Sequence, residues 1–353
     1  MTNTINRTFL YETHKTMGAK MVAFAGYEMP VWYSSLKEEH TAVREKAGIF
    51  DISHMGVLLF SGPNAQAFLQ KVSCNDIEKS LNGKMVYSML LNESGGVLDD
   101  IMVGHIGGQF LMVVNSSNKT KLLAWFDSVG LEGVTIRDLV EDYGFLAIQG
   151  PTALAQFKLA TGKDYSDTKR FSVFQDTIQG AECWVLRTGY TGEDGLEVVV
   201  SKDNMAPLWT TCVESGVQPS GLGARDSLRL EAGLPLYGQE LSETITPLMT
   251  RYKWVLKFDT DFIGKEALLE AKEKPQVWAT VGIEMKDRVI PRSHYPVIEG
   301  GEVTSGTLSP SLNKPIAMAM VKPEYAAIGS IIHVEIRGKS HEAIVTEVPF
   351  LKS

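Results

Sequence analysis

Val57-Leu58-Leu59-Phe60-Ser61-Gly62-Pro63-Asn64-Ala65 returns 88 residues later as Phe145-Leu146-Ala147-Ile148-Gln149-Gly150-Pro151-Thr152-Ala153. Each stretch is an apolar run stopped by Gly-Pro and followed by an amphipathic segment, with Phe68 and Leu69 in the first and Phe157 and Leu159 in the second. Proline in the first turn of a helix loses no hydrogen bond, because the N–H it lacks would have had no intrahelical acceptor. The echo predicts a duplicated strand–helix unit, each copy followed by hairpins. Gly-Pro helix starts are also common, so a chance likeness is the competing reading.

Outward from the first copy, the spacing predicts a helix over 35–47, with Ser35 as N-cap and Gly48 closing it, then a strand over 55–60. Strand and helix signals mix without the strict alternation of a parallel sheet, which predicts an α+β fold. Lys272-Glu273-Lys274-Pro275 is a charged, helix-ending stretch and marks a boundary. Beyond it, strands are expected over 277–285, 301–305, 316–321 and 331–336, punctuated by Gly300-Gly301, Ser309-Pro310 and Arg337-Gly338. The expected division is therefore 1–272 and 273–353, the second part all β.

Composition narrows the function. Apolar residues make up 44% and charged residues 22% of the 353, as in ordinary globular proteins. A net charge of −8 argues against a nucleic-acid partner, which would call for a basic face. No run approaches the roughly 18 apolar residues of a membrane span, and no signal core opens the chain. Cys74, Cys183 and Cys212 are far apart, with no CxxC or Cys/His cluster, so neither a disulfide framework nor a metal site is expected. A reducing compartment fits: the cytoplasm, or the mitochondrial matrix for a processed chain. The seven histidines show no metal spacing, and most of His14, His40, His54 and His105 are expected to be solvated or simple hydrogen-bonding residues.

Three segments carry candidate chemistry. In Gly95-Gly96-Val97-Leu98-Asp99-Asp100-Ile101-Met102-Val103, two carboxylates interrupt an otherwise apolar strand. A two-residue turn at Gly107-Gly108 would set Asp100 across from Asn115. Flanked by Leu98 and Met102, Asp100 would have a raised proton affinity suited to proton handling. A strand-end aspartate binding a turn amide is the plainer reading.

In Thr188-Gly189-Tyr190-Thr191-Gly192-Glu193-Asp194-Gly195-Leu196-Glu197-Val198-Val199-Val200 the glycines do not form a phosphate loop. Glu197 stands out instead, a charge inside an apolar strand that needs a cation or a fork of N–H donors. A pterin offers such a fork, and a structural salt bridge answers equally well. In the helix opened by Gly221-Leu222-Gly223-Ala224 and closed by Gly233, Arg225 and Arg229 share a face. Arg225 suits a pterin oxo group or folate carboxylates, or an ion pair with Asp226 or Glu231.

Together these segments resemble the glycine cleavage T-protein family. The likeness also includes Phe50-Asp51-Ile52-Ser53-His54-Met55, Tyr87, Val113-Val114-Asn115, Tyr237-Gly238-Gln239-Glu240-Leu241 and Thr304-Ser305-Gly306-Thr307-Leu308-Ser309-Pro310-Ser311-Leu312. It runs from about Thr8 to Phe350, essentially the whole chain.

The resemblance implies a clover-leaf arrangement around a folate-sized hole, with a C-terminal β-barrel. It implies transfer of a one-carbon unit from the S-aminomethyl lipoyl arm of the H-protein to tetrahydrofolate, with release of ammonia and no metal. By position, Asp100 matches the family's catalytic aspartate, Glu197 its pterin-binding glutamate and Arg225 its folate-binding arginine. Met55, Tyr87, Asn115 and Tyr190 match residues lining the folate cavity. On this reading pseudo-symmetry would aim Asp100 and Glu197 at one cavity. Some members carry an aromatic-bearing tail, whereas only Leu351-Lys352-Ser353 follow Phe350 here, so no C-terminal folate contact is expected.

Two rivals stand beside this reading. One is a tetrahydrofolate-dependent demethylase of the same superfamily, which would share the pterin site. The other is a non-catalytic folate-binding protein of iron–sulfur assembly. Its Lys-Gly-Cys-Tyr signature has no counterpart in Leu234-Pro235-Leu236-Tyr237, which lacks the cysteine.

Overall fold

The computed structural model describes residues 5–351. They open with β1 (Asn6–Arg7), α1 (Tyr11–Thr16), β2 (Lys20–Phe24) and β3 (Tyr27–Trp32), a small sheet in the order β1-β3-β2. The expected helix is α2 (Leu36–Glu45), capped by Ser35, whose side chain accepts from the Glu38 N–H at 3.2 Å. Gly48 does not close it. It opens β4 (Gly48–Asp51), and a Cβ there would lie 2.4 Å from Val43 and 2.7 Å from Ser220 Oγ. That glycine answers to close packing.

The duplication is present in topology as well as in sequence. The first copy runs β5 (Gly56–Ser61), α3 (Ala65–Val72), β6 (Met85–Leu91), β7 (Val97–Ile106), β8 (Gln109–Val114), α4 (Lys119–Val129) and β9 (Thr135–Asp138). The second runs β10 (Tyr143–Gln149), α5 (Ala153–Thr161), β11 (Val173–Ile178), β12 (Ala181–Leu186), β13 (Gly195–Ser201), α6 (Lys202–Glu214) and β14 (Gln218–Pro219). The sheet orders are β6-β7-β8-β5-β9 and β11-β12-β13-β10-β4-β14. In each copy the last strand of a three-stranded meander pairs antiparallel with the first strand of the unit, Gly56 with Val114 and Tyr143 with Ser201. The other flank differs in origin. β5 takes β9 from its own copy, while β10 takes β4, which precedes both copies in the chain.

Each sheet buries its helices by the same means. In the first, Phe60 of β5, Phe68 of α3 and Phe126 of α4 pack ring to ring at 5.6–6.2 Å. In the second, Ile148, Phe157 and Trp209 share one core with Ile49, Val185 and Val198. The Gly-Pro stops also share a cause. Gly62 and Gly150 have φ of +109° and +135°, and a Cβ would lie 2.3 Å from the Gly133 carbonyl oxygen and 2.4 Å from that of Lys46. Gly150→Ala therefore meets both strain and a backbone clash, at a cost of about 3 kcal/mol. A urea titration should show the lower midpoint; an unchanged midpoint would refute this account of the stop.

The chain continues through α7 (Leu222–Glu231) and α8 (Lys265–Lys272) to the C-terminal sheet: β15 (Ala279–Met285), β16 (Gly301–Ser309), β17 (Lys314–Val321), β18 (Ile331–Ile336) and β19 (Lys339–Thr346). Its order is β16-β17-β15-β19-β18. The two edge strands are stitched by the segment between β15 and β16, since Pro296 bridges Glu302 and Val297 bridges Val334. The sheet therefore curls into a barrel around Ile283, Val303, Ala319, Ile332 and Val345.

Contacts divide the chain into two compact units. One takes the described residues through Leu69, Asp76–Tyr87 and Ile101–Arg225. The other takes Gln70–Asn75, Ser88–Asp100 and the described chain from Asp226 onward. The boundary expected at 272/273 falls a few residues ahead of the first barrel strand, and the barrel's compact unit draws in earlier segments as well.

Candidate active site

The strand that carries Glu197 has a register fixed by its neighbours, with Glu197 opposite Ala147 of β10 on one side and Leu186 of β12 on the other. The side chain is half-buried. Burial pushes its carboxyl above the ordinary glutamate range, and a hydrogen bond from Thr188 and the charge of Arg225 pull back only part of the shift. The Thr188 hydroxyl donates to Glu197 Oε2 at 2.5 Å. In the first copy the corresponding pair is Leu59 with Leu111. Glu197 is thus a polar insertion at a place where the fold itself asks only for leucine.

Arg225 on α7 lies over the ring of Tyr190, 4.2 Å from its centroid, a cation–π contact that holds the guanidinium flat. Tyr190 in turn sits on a braced turn. Gln149 at the end of β10 accepts from the Thr191 hydroxyl at 3.1 Å and donates to the Thr188 carbonyl at 3.1 Å. Arg44 donates to the Thr191 carbonyl at 2.7 Å and to Glu193 at 2.8 Å. Arg187 grips both oxygens of Asp194 at 3.0 and 3.2 Å. Gly189 is obligatory here, because a Cβ would fall 1.8 Å from Gln149 Oε1. Two residues distant in sequence, Gln149 and Arg44, and the local clasp of Arg187 on Asp194 therefore fix the turn that presents Tyr190 to Arg225.

The N-terminus of α7 is anchored separately. Glu39, fully buried on α2, accepts from the Gly221 N–H at 2.8 Å and from the Tyr33 and Ser34 N–H groups at 2.6 and 3.0 Å. Burial raises its carboxyl's pKa, and these three backbone donors hold it back.

The 107–108 hairpin has the expected register, with Met102 opposite Val113 and Ile106 opposite Gln109. Asn115 stands one residue past the end of β8, just ahead of a short 3-10 turn over Ser116–Asn118, and its carbonyl accepts from the Asn118 N–H at 3.0 Å. Asp99 is fully buried and Asp100 half-buried on β7. Met55, Tyr87, Asn115, Tyr190 and Arg225 share that intermediate exposure.

Asp100 and Glu197 are not equivalent by the duplication. Asp100 lies on the middle strand of its meander and Glu197 on the last strand of its own.

Of the two readings open for the histidines, solvated or simple hydrogen-bonding, solvation does not hold for His14, His40 and His54, which are buried at 0%, 1% and 3% exposure. His14 Nε2 meets Asp51 Oδ2 at 2.9 Å, and its Nδ1 meets the Tyr33 hydroxyl at 2.8 Å. Burial would raise the Asp51 pKa, but His14 and the Ser53 hydroxyl outweigh it and hold the carboxyl below its ordinary range. Single histidines far apart in sequence carried no signal of this pairing. Among the described residues, no cluster of three His, Cys, Asp or Glu groups is placed to hold a metal. The three cysteines are buried and free, and burial pushes their thiols up to about 11 for Cys74 and Cys183 and about 12 for Cys212.

A carboxyl with a raised proton affinity, under the charge of a guanidinium stacked on Tyr190, is thus set into a duplicated α+β scaffold. Comparison with known proteins is specific. Residues 10–260 match the family described as "GCVT N-terminal domain", and 279–352 match the "Glycine cleavage T-protein C-terminal barrel domain". The chain is 43% identical to an aminomethyltransferase of a Geobacillus species (strain WCH70), over 99% of each. It is 44% identical to one from Geobacillus thermodenitrificans, over 99% of each. The crystal structure of the glycine cleavage system aminomethyltransferase T from Bartonella henselae superposes with a TM-score of 0.93 at 33% identity, covering 99% of this chain and 98% of that one. The chain belongs to the glycine cleavage T-protein family. Membership and architecture support a folate-dependent one-carbon transferase in general, with tetrahydrofolate as ligand.

Proposed function

We propose that the protein moves the one-carbon unit of an S-aminomethyl-dihydrolipoyl H-protein onto tetrahydrofolate, giving 5,10-methylenetetrahydrofolate, a free dihydrolipoyl thiol and ammonia. The observation that carries the reading is the carboxyl of Glu197 in β13, with Thr188 on one oxygen and the Arg225 charge nearby. Ionised Glu197 accepts the paired N–H groups of the pterin, a bidentate and charge-assisted arrangement. Arg225, held flat by Tyr190, meets the folate's oxo group or carboxylates. Met55, Tyr87 and Asn115 line the rest of the cavity, and Asp100 acts on the folate nitrogens as proton acceptor and donor. As ammonia departs, the negative charge of Asp100 steadies the methylene-iminium cation. Holding both reactants in register supplies much of the remaining acceleration.

The test is purified protein with tetrahydrofolate and aminomethyl-loaded H-protein, assayed for ammonia. Release of ammonia together with methylenetetrahydrofolate is expected. A demethylase of the same superfamily would release none.

Affinity should also depend on pH. The fork is accepted only by the ionised carboxylate, and burial places the Glu197 pKa above the ordinary range. Folate affinity should therefore fall on acidification at a higher pH than a solvated glutamate would give. Glu197→Gln should weaken binding by about 10- to 100-fold, the worth of a charged hydrogen bond, and flatten that profile. Titration of 5-formyltetrahydrofolate by calorimetry across pH checks both, and a variant keeping the wild-type profile would remove Glu197 from the site.

A further inference from the structure

His54 carries a ring nitrogen left unserved among the described residues. It is 3% exposed, and its Nδ1 is buried with no hydrogen-bond partner among the described residues. Its ring meets that of Phe24 edge-on at 5.6 Å. His14 on α1 shows what a satisfied histidine looks like in this fold, since it has a partner on each ring nitrogen. Asp51, three residues before His54, does not serve it. Asp51 Oδ1 takes the Ser53 N–H at 2.9 Å and the Ser53 hydroxyl at 2.6 Å, and Oδ2 is held by His14.

A phenylalanine would fill the space of His54 without an unmet polar atom. Buried polar groups in native proteins almost always find a partner, and an exception calls for a reason. The electrical surroundings supply a direction. Burial and the nearby Arg225 charge push the ring's pKa down to about 3, so it stays neutral at physiological pH. A neutral imidazole offers one N–H and one lone pair, and it adds no second positive charge beside Arg225. Half a turn about Cβ–Cγ exchanges Nδ1 with Cδ2, so the ring presents a nitrogen at either edge.

We propose that His54 is a positioning contact for the heterocycle bound at Glu197 and Arg225, meeting the amide edge of the reduced pteridine through a ring nitrogen. The inference rests on the folate reading above and adds a residue to it. His54 precedes Met55 in the turn closed by the Met55 N–H donating to the Ile52 carbonyl at 2.9 Å, so its backbone is fixed before any ligand arrives.

The experiment uses the full chain labelled with 15N-histidine, and long-range proton–nitrogen spectra with and without saturating 5-formyltetrahydrofolate. The His54 nitrogens, assigned by their loss in His54→Phe, should shift from unbonded to hydrogen-bonded values on binding. His54→Phe should bind about tenfold more weakly by calorimetry. His54→Gln, which restores a polar atom near the outer ring nitrogen, should recover most of that loss. Unmoved His54 nitrogens in a saturated wild-type sample, or wild-type affinity in His54→Phe, would overturn this inference alone. Wild-type protein that fails to bind 5-formyltetrahydrofolate would overturn the folate reading itself. Should His54→Phe fail to fold, the assignment passes to His54→Gln and the wild-type spectra still decide.

Discussion

Replacing Asp100 by asparagine should lower turnover by about 10²- to 10⁴-fold, the usual contribution of a positioned acid–base group. The affinity for folate should stay within about threefold, because the variant keeps the shape of the side chain and most of its hydrogen-bonding capacity. The amide cannot take a proton from the attacking nitrogen, nor can it balance the cation formed as ammonia leaves. Strand β7 should tolerate the change, since Asp100 is only half-buried while Asp99 beside it is fully enclosed. Steady-state rates with aminomethyl-loaded H-protein and calorimetry with 5-formyltetrahydrofolate check the two halves of the claim. Normal turnover would remove Asp100 from the chemistry, and a parallel collapse of affinity would make it a binding residue.

The second large effect belongs to stability. Arg229, four residues after Arg225, is almost wholly enclosed, with its guanidinium shared by Asp226 at 2.9 Å, Glu240 at 3.1 Å, the Leu234 carbonyl at 3.0 Å and Ser305 at 2.8 Å. Glu240 has no accessible side-chain surface, and its Oε1 has no hydrogen-bond partner among the described residues. Arg229→Met therefore strands a buried carboxylate and should cost about 3–5 kcal/mol. Removing both charges together, as Arg229→Met with Glu240→Leu, should recover much of that loss, because neither member of the pair is then left charged without the other. Urea unfolding of the three variants decides it. A double variant as unstable as the single one would mean that packing, rather than stranded charge, sets the cost.

How much of this was legible in advance depended on whether a feature was local. The doubled unit announced itself because an apolar run, a Gly-Pro stop and an amphipathic helix are all written within nine or so residues. The hairpin register around Gly107-Gly108 was legible for the same reason. Strand β19 was missed because its first half, Lys339-Ser340-His341-Glu342, is polar, and only Ala343 and Val345 turn inward to the barrel core. Gly48 was misread as a helix stop because its true constraint, the close approach of Val43 and Ser220, involves a residue far along the chain.

The site divides along the same line. Glu197 was visible as a charge among valines, and Arg225 and Tyr190 as parts of compact motifs. The bracing of the Tyr190 turn by Gln149 and Arg44 was not visible, nor was the pairing of His14 with Asp51, because each joins residues that only folding brings together.

The borrowed flank of the second sheet has a consequence for synthesis on the ribosome. β4 leaves the exit tunnel early, yet its antiparallel partner β10 is made only some ninety residues later. At roughly 5–20 residues per second, four enclosed residues wait on the order of 5–20 seconds without their mate. The first sheet waits less, because β5 meets β8 about fifty residues on and all five of its strands are translated before β10 begins. An exposed, apolar edge during that interval is an open template for pairing with another nascent chain. Hydrogen exchange pulsed during refolding should therefore find the amides of β4 protected only together with those of β10, long after proximity in sequence would have allowed.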